Sequence, residues 1–104
     1  MKRINYTRDD IIRRSGDQLN LNNSEMKLIL DIILDTMTSM LTEERSRTRI
    51  ELRNFGVFEV KPTKAKKHAR NPKTNKEVYV PPRRKIQFKA GKLLRSELHK
   101  EWNE

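Results

Sequence analysis

Arg70-Asn71-Pro72-Lys73-Thr74-Asn75-Lys76 is a turn-forming heptapeptide set inside a long cationic run, and its reading decides how the rest of the chain must be arranged. Pro72 fixes φ at about −65° and biases Asn71 towards extended backbone, while Asn75 is one of the few non-glycine residues that tolerate a left-handed conformation. The chain is therefore expected to reverse over 71–75. On either side, the segments 61–69 and 76–83 carry Lys61, Lys64, Lys66, Lys67, His68, Lys76 and Arg83, with too few apolar side chains to cover either face of a sheet. They predict a projecting two-stranded ribbon rather than a core element. Such a ribbon is marginally stable alone in water, so its distal half is expected to be mobile until it meets a ligand.

Charge separates this projection from the remainder. From Lys61 to Lys92 there are twelve Lys or Arg and one acid, Glu77, a net +11 on a chain that totals +10, so the other 72 residues sum to −1. A near-neutral body with one concentrated cationic arm points to a polyanionic partner.

The body has to stabilise itself with little apolar material. The chain of 104 residues suits a single domain, 34% of it is hydrophobic, and cysteine is absent, which removes disulfides and thiolate metal sites together. With the arm set aside, the body is of a size at which many domains need reinforcement by a metal, a disulfide or oligomerisation, and association is the remaining route. The N-terminus MKRINYTRDD has no apolar signal region and no run reaches membrane-spanning length, so a soluble intracellular protein is expected.

Thr7-Arg8-Asp9-Asp10 reads as a helix start, with Thr7 as N-cap and the two aspartates facing the positive end of the helix dipole. Ile11, Ile12, Ser15, Gly16 and Leu19 make its inward stripe, and Gly16 is tolerable there if another backbone approaches closely. Asn22 with Glu25 resembles a capping box for a second helix over roughly 23–44, although Ser24 competes as N-cap. Met26, Ile29, Leu30, Ile33, Met37, Met40 and Leu41 recur along it at three- and four-residue spacing, and Leu28, Ile32 and Leu34 widen the stripe. Helices within the chain could cover this surface, but the small body favours a dimer interface.

Thr42 to Thr48 reads as a polar connection in which Arg45, Arg47 and Arg49 are compensated by Glu43, Glu44 and Glu51. Arg49–Arg53 alternates as a half-buried strand, Asn54 and Gly56 supply a turn or bulge, and Phe55, Val57, Phe58 and Val60 form the next strand. Val78 and Val80 mark the return of the arm. Pro81-Pro82 breaks regular pairing, and Ile86 and Phe88 alternate with Lys85, Gln87 and Lys89 in a last strand. Ala90-Gly91-Lys92 opens a final helix with Leu94, Leu98 and Trp102 on one face, Leu93 beside them, and Trp102 packed.

The order of these elements, with FGVFEV before the arm, RNPKTNKE at its tip and FKAGKLL after it, resembles the HU/IHF family of bacterial nucleoid proteins over about Thr7 to Leu98. The combination is specific, since RNP-x-T-x-K-E lies between FG-x-F-x-V and F-x-A-G-K. VPPRRKIQF is somewhat closer to the integration host factor branch, without assigning one. The resemblance implies an α+β fold: an intertwined dimer of HU/IHF type with two N-terminal helices, an antiparallel sheet carrying a long basic β-ribbon arm, and a short C-terminal helix. The chain is then one DNA-binding domain, 1–104. Residues 1–48 are its helical dimerisation part, 49–90 its sheet with the arm at 61–84, and 91–104 its C-terminal helix.

The same resemblance implies site residues. Pro72 would be a wedge that intercalates between base pairs, with Arg70 and Asn71 beside it in the minor groove. Lys92, with the Gly91 backbone, would meet phosphate, as would the backbone around Phe55-Gly56. Phe55, Phe58 and Phe88 would form the aromatic dimer core, to which Ile33 and Met37 of the second helix are added. General physics points the same way. A rigid apolar residue with no N–H can unstack a base step, and a minor-groove binder reads width and deformability more than sequence. Lys64, Lys66, Lys67, Lys73, Lys76, Arg83, Arg84, Lys85 and Lys89 would neutralise phosphates. With roughly 6–10 such contacts, affinity should fall about 10³–10⁵-fold between about 50 and 200 mM salt.

Two departures from the family pattern carry expectations. Asn75 stands where the family usually has glycine, which keeps the left-handed turn but stiffens it. The stretch from Val60 to Arg70 is one residue longer than in the commonest members, which is expected to introduce a bulge and leaves the facing of Lys64, Lys66 and Lys67 open.

The function expected is architectural: binding double-stranded DNA with little base specificity and bending it, in the cytoplasm at the nucleoid, as a homodimer or a heterodimer with a paralogue. No cofactor, metal, membrane or small-molecule substrate is expected. His68 and His99 have no paired carboxylates, glycine-rich phosphate loop or metal-spaced cluster beside them, so an enzyme is not expected. The alternative is an RNA-binding structural protein of ribosomal type. It would want exposed aromatic stacking at the tip, whereas the aromatic of the arm, Tyr79, lies well below the turn. Anionic membrane binding normally wants a basic amphipathic helix, and this cationic run holds prolines and strand patterns instead.

Overall fold

Thr7 and Asn22 start the two N-terminal helices as their neighbours require. In the computed structural model, which describes residues 2–44 and 47–103, α1 spans Arg8–Leu19 and α2 spans Asn23–Leu41. Thr7 is the N-cap of α1, and the Asp10 carboxylate accepts hydrogen bonds from its backbone N–H at 2.8 Å and its hydroxyl at 3.0 Å. At the second start the Asn22 N–H donates to Glu25 at 3.1 Å and the Glu25 N–H donates to the Asn22 side chain at 2.9 Å. This reciprocal pair selects Asn22 over Ser24 and satisfies two otherwise orphaned donors.

α1 ends at Asn20, left-handed with φ 55°, and the Leu21 N–H returns to the Gly16 carbonyl at 2.9 Å. The expected close approach at Gly16 is this returning backbone: a Cβ there would lie 3.0 Å from the Leu21 carbonyl oxygen. The inward stripe is narrower than its sequence predicted. Ile12 and Gly16 are buried and Ser15 is half-buried, while Ile11 and Leu19 remain exposed in the single chain. α2 stops at Leu41 rather than 44, because Glu43 and Glu44 would place negative charge on the negative end of the helix dipole. Arg45, expected in the polar connection, lies outside the described residues.

Three strands form an antiparallel sheet in the order β1-β2-β5, with β1 at Thr48–Leu52, β2 at Gly56–Pro62 and β5 at Arg84–Ala90. Between β2 and β5 the chain runs out and back as a two-stranded ribbon, β3 at Lys66–Arg70 and β4 at Glu77–Val80. Ile50 faces Phe58 and Phe58 faces Phe88, so these residues share one face with Val60 and Ile86, while Glu59, Lys61, Lys85, Gln87 and Lys89 occupy the other. The rings of Phe58 and Phe88 are 4.8 Å apart at their centroids and those of Phe55 and Phe88 5.6 Å apart, both tilted. α3 follows at Lys92–Leu98.

This last helix is shorter than the expected 91–104. Residues 100–103 are coil, and Trp102, expected to pack, is 70% exposed. With no apolar residue at 99–101 there is no stripe to hold another turn, and so short a helix gains little on its own.

The described residues fall into two compact units, one running to Ser39 and including Trp102 and Asn103, the other spanning Met40–Glu101. In the first the buried apolar side chains are Ile12 and Met26, and in the second Val60. Of the residues expected in a dimer core, Ile33 is 48%, Phe55 51% and Phe88 41% exposed in the single chain, while Phe58 and Met37 are half-buried.

Candidate nucleic-acid interface

The basic arm is built on the same register as the sheet. Pro62 faces Arg84 at the end of the sheet, and Lys66 faces Val80 at the start of the ribbon, four residues further out on each strand. The interruption between them coincides with Pro81 and Pro82. Antiparallel strands exchange hydrogen bonds at every second pair, and after Thr63 with Arg83 the next such pair would join Ala65 to Pro81, which has no N–H.

Further out the register changes. Lys66 faces Val80 but Ala69 faces Val78, three steps on β3 against two on β4, so one extra residue sits at Lys67-His68. This is the bulge that the longer arm predicted. It places Lys66, Ala69, Val78 and Val80 on one face and sends Arg70 to the other with Glu77 and Tyr79. The Glu77 carboxylate lies 3.5 Å from Nδ1 of the exposed His68.

The tip is a closed turn. The Asn71 N–H donates to the Lys76 carbonyl at 2.9 Å, and the Asn75 N–H donates to the Asn71 carbonyl at 2.7 Å. The Asn71 side chain accepts from the Lys73 N–H at 2.9 Å, an Asx turn, and Asn75 takes φ 57°. Arg70 donates from Nη1 to the Asn75 carbonyl at 3.2 Å, which folds its guanidinium over the turn. Pro72 lies exposed in this turn, at the far end of the ribbon from the sheet.

The cations are arrayed outward. Lys64, Lys66, Lys67, Lys73, Lys76, Arg83, Arg84, Lys85, Lys89 and Lys92 are all exposed. Arg84 is engaged within the protein as well, donating from Nη1 to the Glu43 carbonyl at 2.5 Å. Two acids, Glu51 and Glu59, sit within the basic rows of the sheet. Glu59 accepts from Lys61 at 3.2 Å, and that hydrogen bond, opposed by the cost of burial and aided by attraction from Lys61, Lys89 and Arg49, holds its carboxyl below its usual value.

At the other end of the sheet, backbones pack too closely for side chains. The Gly91 N–H donates to the Phe55 carbonyl at 2.7 Å, and a Cβ on Gly91 would lie 2.8 Å from the Asn54 carbonyl carbon. A Cβ on Gly56 would lie 2.5 Å from the Lys89 carbonyl oxygen and 2.6 Å from the Phe88 ring. Asn54 is left-handed with φ 69°, completing the turn that the Phe55 N–H closes on Leu52. Lys92 begins α3 beside this junction.

The arrangement is thus a basic ribbon with a hydrogen-bonded, proline-bearing tip. Among the described residues no group of His, Asp or Glu is placed to hold a metal ion, and no helix is long and apolar enough to cross a membrane.

Known proteins share both pattern and architecture. The sequence pattern of the family described as bacterial DNA-binding protein matches residues 6–99. The chain belongs to the HU/IHF family. It is 34% identical over 92 residues to DNA-binding protein HU of Thermotoga maritima, covering 88% of this chain and 98% of that protein. It is 32% identical over 90 residues to the integration host factor alpha subunit of Methylococcus capsulatus, covering 86% and 78%. The crystal structure of Anabaena HU with DNA superposes with a TM-score of 0.80 at 25% identity, over 92% of this chain and all of that one. Both branches of the HU/IHF family are similar to the chain to nearly the same degree, so VPPRRKIQF assigns neither. Membership makes this a DNA-binding, histone-like protein of the nucleoid-associated kind, architectural rather than enzymatic, with double-stranded DNA as its partner and a dimer as its assembly.

Thr63 and Glu59 are the arm-base and sheet residues that the sequence did not single out. Thr63 carried a signal, since it is a hydroxyl residue between Pro62 and Lys64, facing Arg83 beside the two prolines that withdraw N–H donors. Glu59 carried none, because an acid in an alternating strand is ordinary.

Proposed function

We propose that the chain acts as a DNA-bending protein of the cytoplasmic nucleoid, whose two arms, one per protomer, follow the minor groove and wedge Pro72 between base pairs. The observation that carries this reading is the tip. Pro72 is exposed in a turn closed by Asn71–Lys76 and Asn75–Asn71 hydrogen bonds, and cationic side chains line the ribbon leading to it. A rigid ring without an N–H can replace stacking on one side of a base step at no hydrogen-bond cost, and the kinked duplex then meets more of the protein.

Arg70 and Asn71 flank the wedge within reach of base edges, which in the minor groove give a nearly degenerate pattern and so little base specificity. Lys64, Lys66, Lys67, Lys73, Lys76, Arg83, Arg84, Lys85, Lys89 and Lys92 supply phosphate contacts, the share of the affinity that salt removes. The half-exposed Phe55, Phe88 and Ile33, with Phe58 and Met37, favour burial against a second copy.

End-to-end FRET on a duplex of about 35 base pairs, titrated with wild type and with Pro72→Ala at two salt concentrations, tests the reading. A rise in transfer that the variant loses while still binding at low salt supports the wedge. Binding with no rise from the wild type leaves a protein that coats or bridges DNA, and absence of duplex binding moves the RNA-binding alternative forward.

A further inference from the structure

The arm's direction has to be set where it leaves the sheet, and the backbone there is short of hydrogen bonds. Pro62, Pro81 and Pro82 bring no N–H, and the regular ladder of β2 with β5 ends at Pro62 and Arg84. At this place one side chain takes over. The Thr63 N–H donates to the Arg83 carbonyl at 2.6 Å as a strand residue would, but the Arg83 N–H does not return to the Thr63 carbonyl. It donates instead to the Thr63 hydroxyl at 2.9 Å, and that hydroxyl in turn donates to the Arg83 carbonyl at 3.1 Å. Both backbone groups of Arg83 are therefore held by one half-buried threonine.

We propose that the Thr63 hydroxyl is the positioning group that fixes the angle at which the DNA-binding arm leaves the sheet, and through it the bend delivered to DNA. The second half of that statement rests on the bending reading above. With the hydroxyl in place of a backbone carbonyl, the chain beyond β2 stays bonded to its partner where the regular ladder has ended. The ribbon then resumes in the sheet's own register at Lys66 and Val80. Had the prolines alone been present, the joint would be held by the single Thr63 N–H bond, about which the ribbon can swing. Two further bonds from the hydroxyl remove that freedom. Thr63 reaches no phosphate in this role, so its effect on affinity is indirect.

Thr63→Val keeps the shape and removes the hydroxyl, and Thr63→Ser keeps the hydroxyl, so the pair separates hydrogen bonding from packing. In the free dimer, amide exchange at Arg83 and residual dipolar couplings of the β3 and β4 amides report the joint directly. Expected for Thr63→Val are exchange at Arg83 faster by about tenfold or more, the scale of a lost hydrogen bond, and ribbon couplings reduced relative to those of Val57–Val60. Thr63→Ser should restore both. On the 35-base-pair duplex of the FRET assay, Thr63→Val should keep low-salt affinity within roughly threefold, its phosphate-contacting cations being unchanged, while transfer at saturation falls.

Ribbon couplings in Thr63→Val equal to wild type, or no rescue by serine, overturn the proposal whatever the DNA does. Couplings that fall in Thr63→Val and recover in Thr63→Ser, on a protein whose wild type never bends DNA, overturn the bending reading and leave the joint standing.

Discussion

Asn75 closes the arm's tip from the left-handed region: with φ at 57° it donates its N–H to the Asn71 carbonyl at 2.7 Å. Most side chains resist that conformation, at a cost of roughly 1–2 kcal/mol, and asparagine resists it less because its amide can bond locally. Asn75→Ala should therefore open the turn and release Asn71 and Pro72 from their fixed relation, lowering FRET at saturation while leaving the thermal midpoint of the body unchanged. Asn75→Gly should bend DNA as well as wild type. Equal bending by the alanine variant would mean that the tip geometry is imposed by DNA rather than by the turn.

How much of this could be read from the residues follows from how local each cause is. Asn22 with Glu25, Asn75 after Pro72, and the extra residue between Val60 and Arg70 act on neighbours within a few positions, and each produced the cap, turn or bulge expected of it. The Thr63–Arg83 joint spans twenty positions and emerged only once the register placed Pro81 and Pro82 opposite Lys64 and Ala65. The close packing at Gly56 and Gly91 depended likewise on β5 lying against β2. Ile11 and Leu19, expected on the inward stripe, stay exposed in the single chain, because helical spacing gives the width of an apolar stripe but not how much of it one chain covers.

Phe88 sits between Phe55 and Phe58, with ring centroids at 5.6 and 4.8 Å, and is 41% exposed in the single chain. Its removal takes away the common partner of both rings. Phe88→Ala should cost about 3–5 kcal/mol of folding and association together, as truncation of packed aromatics does. Sedimentation equilibrium should show the dimer dissociating at concentrations where wild type stays associated, with unfolding that depends on protein concentration. A Phe88→Ala dimer as tight as wild type would place the interface away from this aromatic face.

Gly91 meets backbone rather than side chains, so nothing nearby can rotate away from an added methyl. The three atoms closest to a Cβ there, in Asn54 and Phe55, lie at 2.8–3.0 Å. Gly91→Ala should push α3 away from the 53–55 turn and weaken the Gly91–Phe55 hydrogen bond, costing about 1–3 kcal/mol, the usual range for overpacking. Urea denaturation monitored by circular dichroism should show a lower midpoint with an unchanged slope. A midpoint within error of wild type would mean that α3 does not depend on this contact.

Glu59 is an acid among the exposed cations of the sheet, and its hydrogen bond from Lys61 lowers its pKa and so favours the charged form. A fixed negative charge there repels phosphate and holds one lysine away from it. Glu59→Gln should tighten duplex binding by about 2–10-fold at low ionic strength, with the gain shrinking as salt screens it. The sign with pH follows from the depressed pKa: the carboxylate is ionised at neutral and mildly acid pH, so the difference between wild type and variant should be constant over that span. Only below it, once Glu59 takes up a proton, should the two affinities converge. Fluorescence anisotropy against pH at fixed low salt measures both effects. A variant that binds more weakly would show that Glu59 instead positions Lys61 for a contact with DNA.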